Sequence, residues 1–209
     1  VSDEYINKWL FDFQSHIVIK ACKAGKYAIF ADCGLGKTLM QLEWARLVTE
    51  HTNMPVLILC PLAVAGQTIK EGEKFGIPIE RLKSDVFGQG VFITNYDQLA
   101  NIDASQFGGV VLDESSILKN FTGKMKREII SAFKHTPYKL ACSATPSPND
   151  LNEIGNHSEF LDIMEAPDMR MRWFVRDEGM NEYRLKGHAD ADFFGWIGSW
   201  ASVLRHPRD

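Results

Sequence analysis

The chain has 209 residues, 45% of them hydrophobic, enough to bury one substantial core, and its length alone suggests a single domain. Its 23 basic side chains against 27 acidic ones give a formal net charge of −4, which argues against attachment to nucleic acid by bulk charge. No run approaches the roughly 18 apolar residues of a membrane span, no secretory segment opens the sequence, and six scattered histidines and four cysteines lack zinc-ligand spacing, so the thiols read as small buried groups in a reducing, cytoplasmic setting.

In chain order, apolar spacing predicts a helix from Tyr5 to Lys23, then a buried strand over 27–31. Ala31-Asp32-Cys33-Gly34-Leu35-Gly36-Lys37-Thr38 follows, and it leads into a helix over 37–50. A strand, a glycine loop and a helix in that order suit a phosphate. Glycines let backbone N–H groups turn toward an anion, and the helix N-terminus adds partial positive charge. Lys37 is placed to reach the β- and γ-phosphates and the Thr38 hydroxyl to ligate magnesium; Ala31 stands where the full pattern asks for glycine.

Further strands are expected near 56–60, 91–94, 109–113 and 138–142, with helices near 64–75, 97–100 and 122–134. This alternation indicates an α/β fold with a mostly parallel sheet and helices on both faces, ligands binding at the carboxyl ends of the strands. One strand ends in Asp113-Glu114. Two carboxylates there are costly unless paired or bound to a metal. In nucleoside triphosphatases the first acid holds magnesium and the second orients the attacking water. The basic stretch from Lys119 to Lys139 fits either a solvated helix face or a phosphate-contacting surface. Near the end, Phe193, Trp196, Ile197, Trp200, Val203 and Leu204 recur at helical spacing, as an amphipathic helix docking on its own lobe would.

Several stretches, in order, resemble the first RecA-like lobe of a superfamily-two helicase-like ATPase, and the similarity is greatest to the Swi/Snf-type DNA translocases. Residues 32–38 resemble the first helicase motif, 57–61 motif Ia, 91–99 motif Ib, and 113–120 motif II, including the Lys119-Asn120 pair. Ser143-Ala144-Thr145-Pro146 followed by Asn149 resembles motif III. Ser116 departs from the His or Asp usual at the fourth position of motif II.

The resemblance implies a RecA-like P-loop domain over 1–160 and a C-terminal extension over 161–209 leading toward a second RecA-like lobe absent from this chain. It implies ATP and Mg²⁺, with Cys33 to Thr38 around the phosphates, and Lys37, Asp113 and Glu114 in catalysis. Gln14 falls at about the spacing of an adenine-reading glutamine, a task that suits an amide, which both donates and accepts. Pro61, Thr94, Asn95 and Tyr96 are implied to line a surface that tracks nucleic acid, double-stranded DNA by the family's habit, while Ser143 and Thr145 couple the two sites. The implied activity is ATP hydrolysis once a second lobe supplies its arginines, the isolated chain being weakly active or inactive. A strand-separating helicase, a restriction-enzyme motor and a non-catalytic nucleotide switch share this lobe and stay open as alternatives.

Overall fold

The computed structural model describes residues 5–83, 88–119, 123–147, 150–177 and 182–206. Its centre is a seven-stranded sheet built from β1 (Lys26–Ala31), β2 (Val56–Cys60), β3 (Ile79–Arg81), β4 (Val91–Asn95), β5 (Gly109–Asp113), β6 (Tyr138–Ser143) and β9 (Ala201–Leu204). The order is β3-β4-β2-β5-β6-β1-β9 and every pairing is parallel. A separate antiparallel pair joins β7 (Phe174–Asp177) to β8 (Glu182–Leu185).

Strands covered on both faces read as continuous apolar runs, and alternate side chains divide between two cores. Tyr27, Ile29, Ile58 and Val111 face the helices α1 (Asp12–Ala24), α2 (Lys37–Thr52) and α3 (Ala65–Phe75). Ala28, Phe30, Leu57 and Leu112 face the opposite layer, which holds α4 (Lys124–Ala132), α5 (Ile154–Phe160), α6 (Ala166–Trp173) and α7 (Asp190–Trp200).

Two expectations change. The first helix starts at Asp12 rather than Tyr5, because Gln14 reaches back to accept the Phe11 N–H at 2.9 Å and ends the extended segment there. The preceding residues are held against α2 and α3 instead: Arg46 donates to the Tyr5 carbonyl, and Asn7 bonds Glu43 and the Phe75 carbonyl. At the other end the helix stops at Trp200. Val203 and Leu204 belong to β9, which adds to the sheet edge beside β1 with Phe30 opposite Val203. The segment 97–100 is a turn of 3₁₀ helix within Tyr96–Asn101.

The basic stretch also divides. Lys139 is fully buried and shares the Asp162 carboxylate with Lys26, each at 2.7 Å. Lys126 is buried against Asn156 and Glu159. Of the stretch's described Lys and Arg side chains, Lys124, Arg127 and Lys134 lie exposed, and Asn120 and the Lys119 side chain fall outside the described ones.

α5 packs beneath the end of β5 through a buried histidine. His157 Nε2 lies 3.0 Å from the Ser115 hydroxyl, its ring stands edge-on to Phe30, and Nδ1 has no partner among the described residues. Burial pushes its pKa down to about 4. The unfolded chain therefore takes the proton first, and the stability that neutral His157 contributes is full above about pH 6.5 and lost as the pH falls toward 4. Denaturant unfolding of the wild type and His157→Gln at pH 7 and pH 4.5 should show a loss smaller in the variant by roughly 3 kcal/mol, the worth of about two pH units.

Candidate functional site

Parallel register brings the candidate residues to one edge. Phe30 lies opposite Ser143, Cys142 opposite Asp113, Leu59 opposite Leu112 and Cys60 opposite Asn95, so the loops after β1, β6, β5, β2 and β4 leave the sheet side by side. The segment after β1 is a tight glycine loop. Gly34 and Gly36 have φ of 83° and 75°, a region that side chains disfavour, and a Cβ on Gly36 would lie 2.2 Å from Gln14 Nε2. The first backbone bond into α2 runs from the Met40 N–H to the Gly36 carbonyl, which leaves the N–H groups of Lys37, Thr38 and Leu39 ahead of the intrahelical ladder. No acid occupies that first turn. Such a loop presents donors and positive potential to an anion.

Lys37 folds over the loop and donates to the Ala31 carbonyl at 2.7 Å. Cys33 is exposed there, contrary to the expectation of a buried thiol, while Thr38 is half-buried. Gln14 is buried under the loop. Its Nε2 donates to the Leu35 carbonyl at 2.9 Å, so each end of the amide has made one bond and keeps capacity for one more. Phe11, Gln14, Gly34 and Leu35 line a cavity of about 650 Å³.

Asp113 and Glu114 differ in surroundings. Burial raises the Asp113 carboxyl above its ordinary pKa and the neighbouring Glu114 adds to this, while Gln41 and Lys37 act in the opposite direction. No cationic side chain closes on Asp113 as an ion pair among the described residues. Glu114 instead sits at φ 58° and its Oε1 accepts from Ser143 at 2.7 Å and Ser116 at 3.0 Å. Ser143 Oγ in turn accepts the Thr145 N–H at 3.0 Å. A non-glycine residue in the left-handed region is uncommon, and here four neighbouring contacts hold it. Among the described residues Glu114 Oε2 accepts nothing and stays open.

The residues expected on a nucleic-acid surface are placed unevenly. Pro61, Asn95 and Tyr96 come together around a cleft of about 390 Å³ that also contains Glu114 and Ser116. Thr94 is buried and its carbonyl accepts from Cys60 Sγ. Asn95 caps the following turn through Asp97 N–H, and Tyr96 is buried with its hydroxyl on the Asp113 carbonyl at 2.7 Å. Its phenol is therefore spent within the protein. Asn149 lies outside the described residues. Sequence reasoning missed Gln41, His157 and the bond from the Ser116 hydroxyl to Glu114; of these only Ser116 carried a signal, as a hydroxyl two residues beyond the acid.

Magnesium fits the site chemically. The groups at hand are a half-buried carboxylate with no ion pair among the described residues, a half-buried hydroxyl at a helix start and a buried amide, Gln41, with neither end bonded among those residues. A hard cation that keeps several waters and takes phosphate oxygens needs few protein ligands. No cluster of three or more His, Cys, Asp or Glu side chains competes for a softer metal among the described residues.

No curated protein matches the chain in sequence. Among solved structures, the SWI2/SNF2 ATPase core of Sulfolobus solfataricus in complex with double-stranded DNA is similar over 100% of this chain and 47% of that one, with a TM-score of 0.79 and 18% identity. The SWI2/SNF2 ATPase core domain of the same organism gives 0.76 and 18%, over 100% and 46%. The UvsW helicase from bacteriophage T4 gives 0.59 and 18%, over 74% of this chain and 58% of that one. The chain thus spans about half the length of the SWI2/SNF2 cores it matches. A family model, the SNF2-related domain, matches residues 8–181. With its parallel sheet between two helical layers, the chain belongs to the SNF2-related family, as the first RecA-like lobe of a superfamily-two, Swi/Snf-type protein.

Proposed function

We propose that this chain is the ATP-binding lobe of an ATP-dependent translocase that moves on double-stranded DNA, and that it hydrolyses ATP when a second RecA-like lobe completes the site. One observation carries the proposal: the glycine loop, the unpaired Asp113 and a Glu114 tied to Ser143 meet at one sheet edge. Double-stranded DNA as the track rests on family membership and on the DNA-bound relative. The four cysteines, all free thiols, suit a reducing cytoplasm.

ATP enters with its adenine toward the cavity beside Gln14 and its phosphates over the loop. Gln14 uses its remaining donor and acceptor on the adenine edge. Lys37 exchanges the Ala31 carbonyl for the β- and γ-phosphate oxygens, and the N–H groups opening α2 point at the same anion. Thr38 and Asp113 hold magnesium, which when bound neutralises charge on the phosphates. Glu114 Oε2 orients the attacking water and accepts its proton while Ser143 and Ser116 fix Oε1. Ser143 and Thr145 carry movement at the γ-phosphate toward the cleft of Pro61, Asn95 and Tyr96, where Tyr96 ties that cleft to the Asp113 backbone. Contacts there go to phosphates and are sequence-independent.

Lys37→Ala should weaken Mg-ATP binding by roughly 10–100-fold, the value of a charge-assisted hydrogen bond, with thermal stability unchanged because the lysine leaves only a loop carbonyl. Calorimetric titration checks it, and equal affinities would remove the phosphate-loop assignment. In a two-lobe parent, Glu114→Gln should keep ATP binding and lower turnover by roughly 10²–10⁴-fold in single-turnover assays. Residues 1–209 alone should release phosphate roughly 10³-fold or more slowly than that parent and respond little to duplex DNA, since arginines supplied across the cleft are worth roughly 10³–10⁵ in rate. Robust DNA-stimulated hydrolysis by monomeric 1–209 would contradict the need for a second lobe.

A further inference from the structure

α2 carries a polar group into the core that packing does not explain. Gln41 is fully buried, and neither Nε2 nor Oε1 has a hydrogen-bond partner among the described residues. It follows Thr38 by three positions and Lys37 by four, so it shares their helix face, and α2 lies directly against β5. An unmet buried amide destabilises the fold, and a leucine of similar volume would avoid that cost. The amide lies near Asp113 at the end of β5 and favours its charged form, though neither of its ends makes a hydrogen bond of ordinary length among the described residues. The two elements thus bring together an amide with no hydrogen bond of ordinary length and a carboxylate with no ion pair among the described residues.

We propose that Gln41 is a positioning residue for magnesium, its N–H group steadying the Asp113 carboxylate and its carbonyl oxygen accepting from a water in the ion's hydration shell. The proposal rests on the assignment of Asp113 to magnesium. Magnesium dehydrates reluctantly, so the waters it keeps are hydrogen-bond donors that need acceptors in the second layer. An amide suits that layer. It offers both a donor and an acceptor, and it adds no charge beside a carboxylate that burial already disfavours. The helix that presents its first turn to the phosphates thus brings the partner for the metal's water one turn later.

The test titrates Mg²⁺ into the 1–209 chain at a fixed concentration of the β,γ-imido analogue of ATP, following nucleotide binding by fluorescence, for the wild type, Gln41→Leu, Gln41→Met and Asp113→Asn. Thermal unfolding of each without nucleotide runs alongside. Both Gln41 variants should be at least as stable as the wild type, yet need roughly tenfold or more Mg²⁺ for half-saturation, as removal of an outer partner typically requires. Their binding of the analogue in EDTA should equal that of the wild type. A merely structural glutamine would give the reverse: stability lost and the Mg²⁺ midpoint unmoved. Either wild-type Mg²⁺ midpoints or a stability loss in both Gln41 variants overturns the proposal. If Gln41→Leu and Gln41→Met keep the wild-type midpoint while Asp113→Asn shifts it, Gln41 alone is wrongly assigned. If Asp113→Asn also leaves it unmoved, the magnesium assignment of Asp113 fails and the proposal with it.

Discussion

Everything at the site depends on strands running the same way. A parallel sheet sends every carboxyl end to one edge, so loops far apart in sequence emerge as neighbours. Register then decides which neighbours. Because Phe30 pairs with Ser143 and Cys142 with Asp113, a hydroxyl stands between the glycine loop and the two acids, and it takes up one oxygen of the second acid. A slip of one residue would turn Ser143 to the opposite face of the sheet and break that contact. The apolar alternation that fills two cores is thus also what aims the site.

Much of this was legible in the chain's residues, and the remainder has physical reasons for staying hidden. The glycine loop and the Asp113-Glu114 pair announce themselves because their chemistry needs particular residue types after apolar runs. The start of α1 was misplaced because the capping group, Gln14, lies inside the helix and reaches backward, so no cap residue stands at the boundary. β9 was misread as helix because Val203 and Leu204 continue the apolar spacing of α7, while the choice of strand is made by the open edge of β1, a tertiary fact. His157 and Gln41 gave no signal at all. Their importance lies in what surrounds them when buried, which single residues in sequence do not display.

The charge balance of the site is unusual for one proposed to hold a polyanion. Lys37 donates to a loop carbonyl, and the two acids would repel a phosphate. The exposed basic side chains of α4 are limited to Lys124 and Arg127, since Lys126 is consumed internally. Favourable potential must come from backbone dipoles at the start of α2 and from a cation. In the proposed function a bound cation would therefore offset the repulsion that the two acids exert on the phosphates.

The edge strand has a mechanical side. Leu204 ends β9, and its carbonyl accepts the N–H of Asp32, the first residue of the glycine loop. β9 runs parallel to β1, so tension applied at Leu204 along the strand loads their shared backbone bonds in shear, all at once, instead of peeling them one by one. Shear is the stiff direction of a sheet. A pull on β9 would therefore reach the glycine loop through the bond between Asp32 and Leu204 with little give.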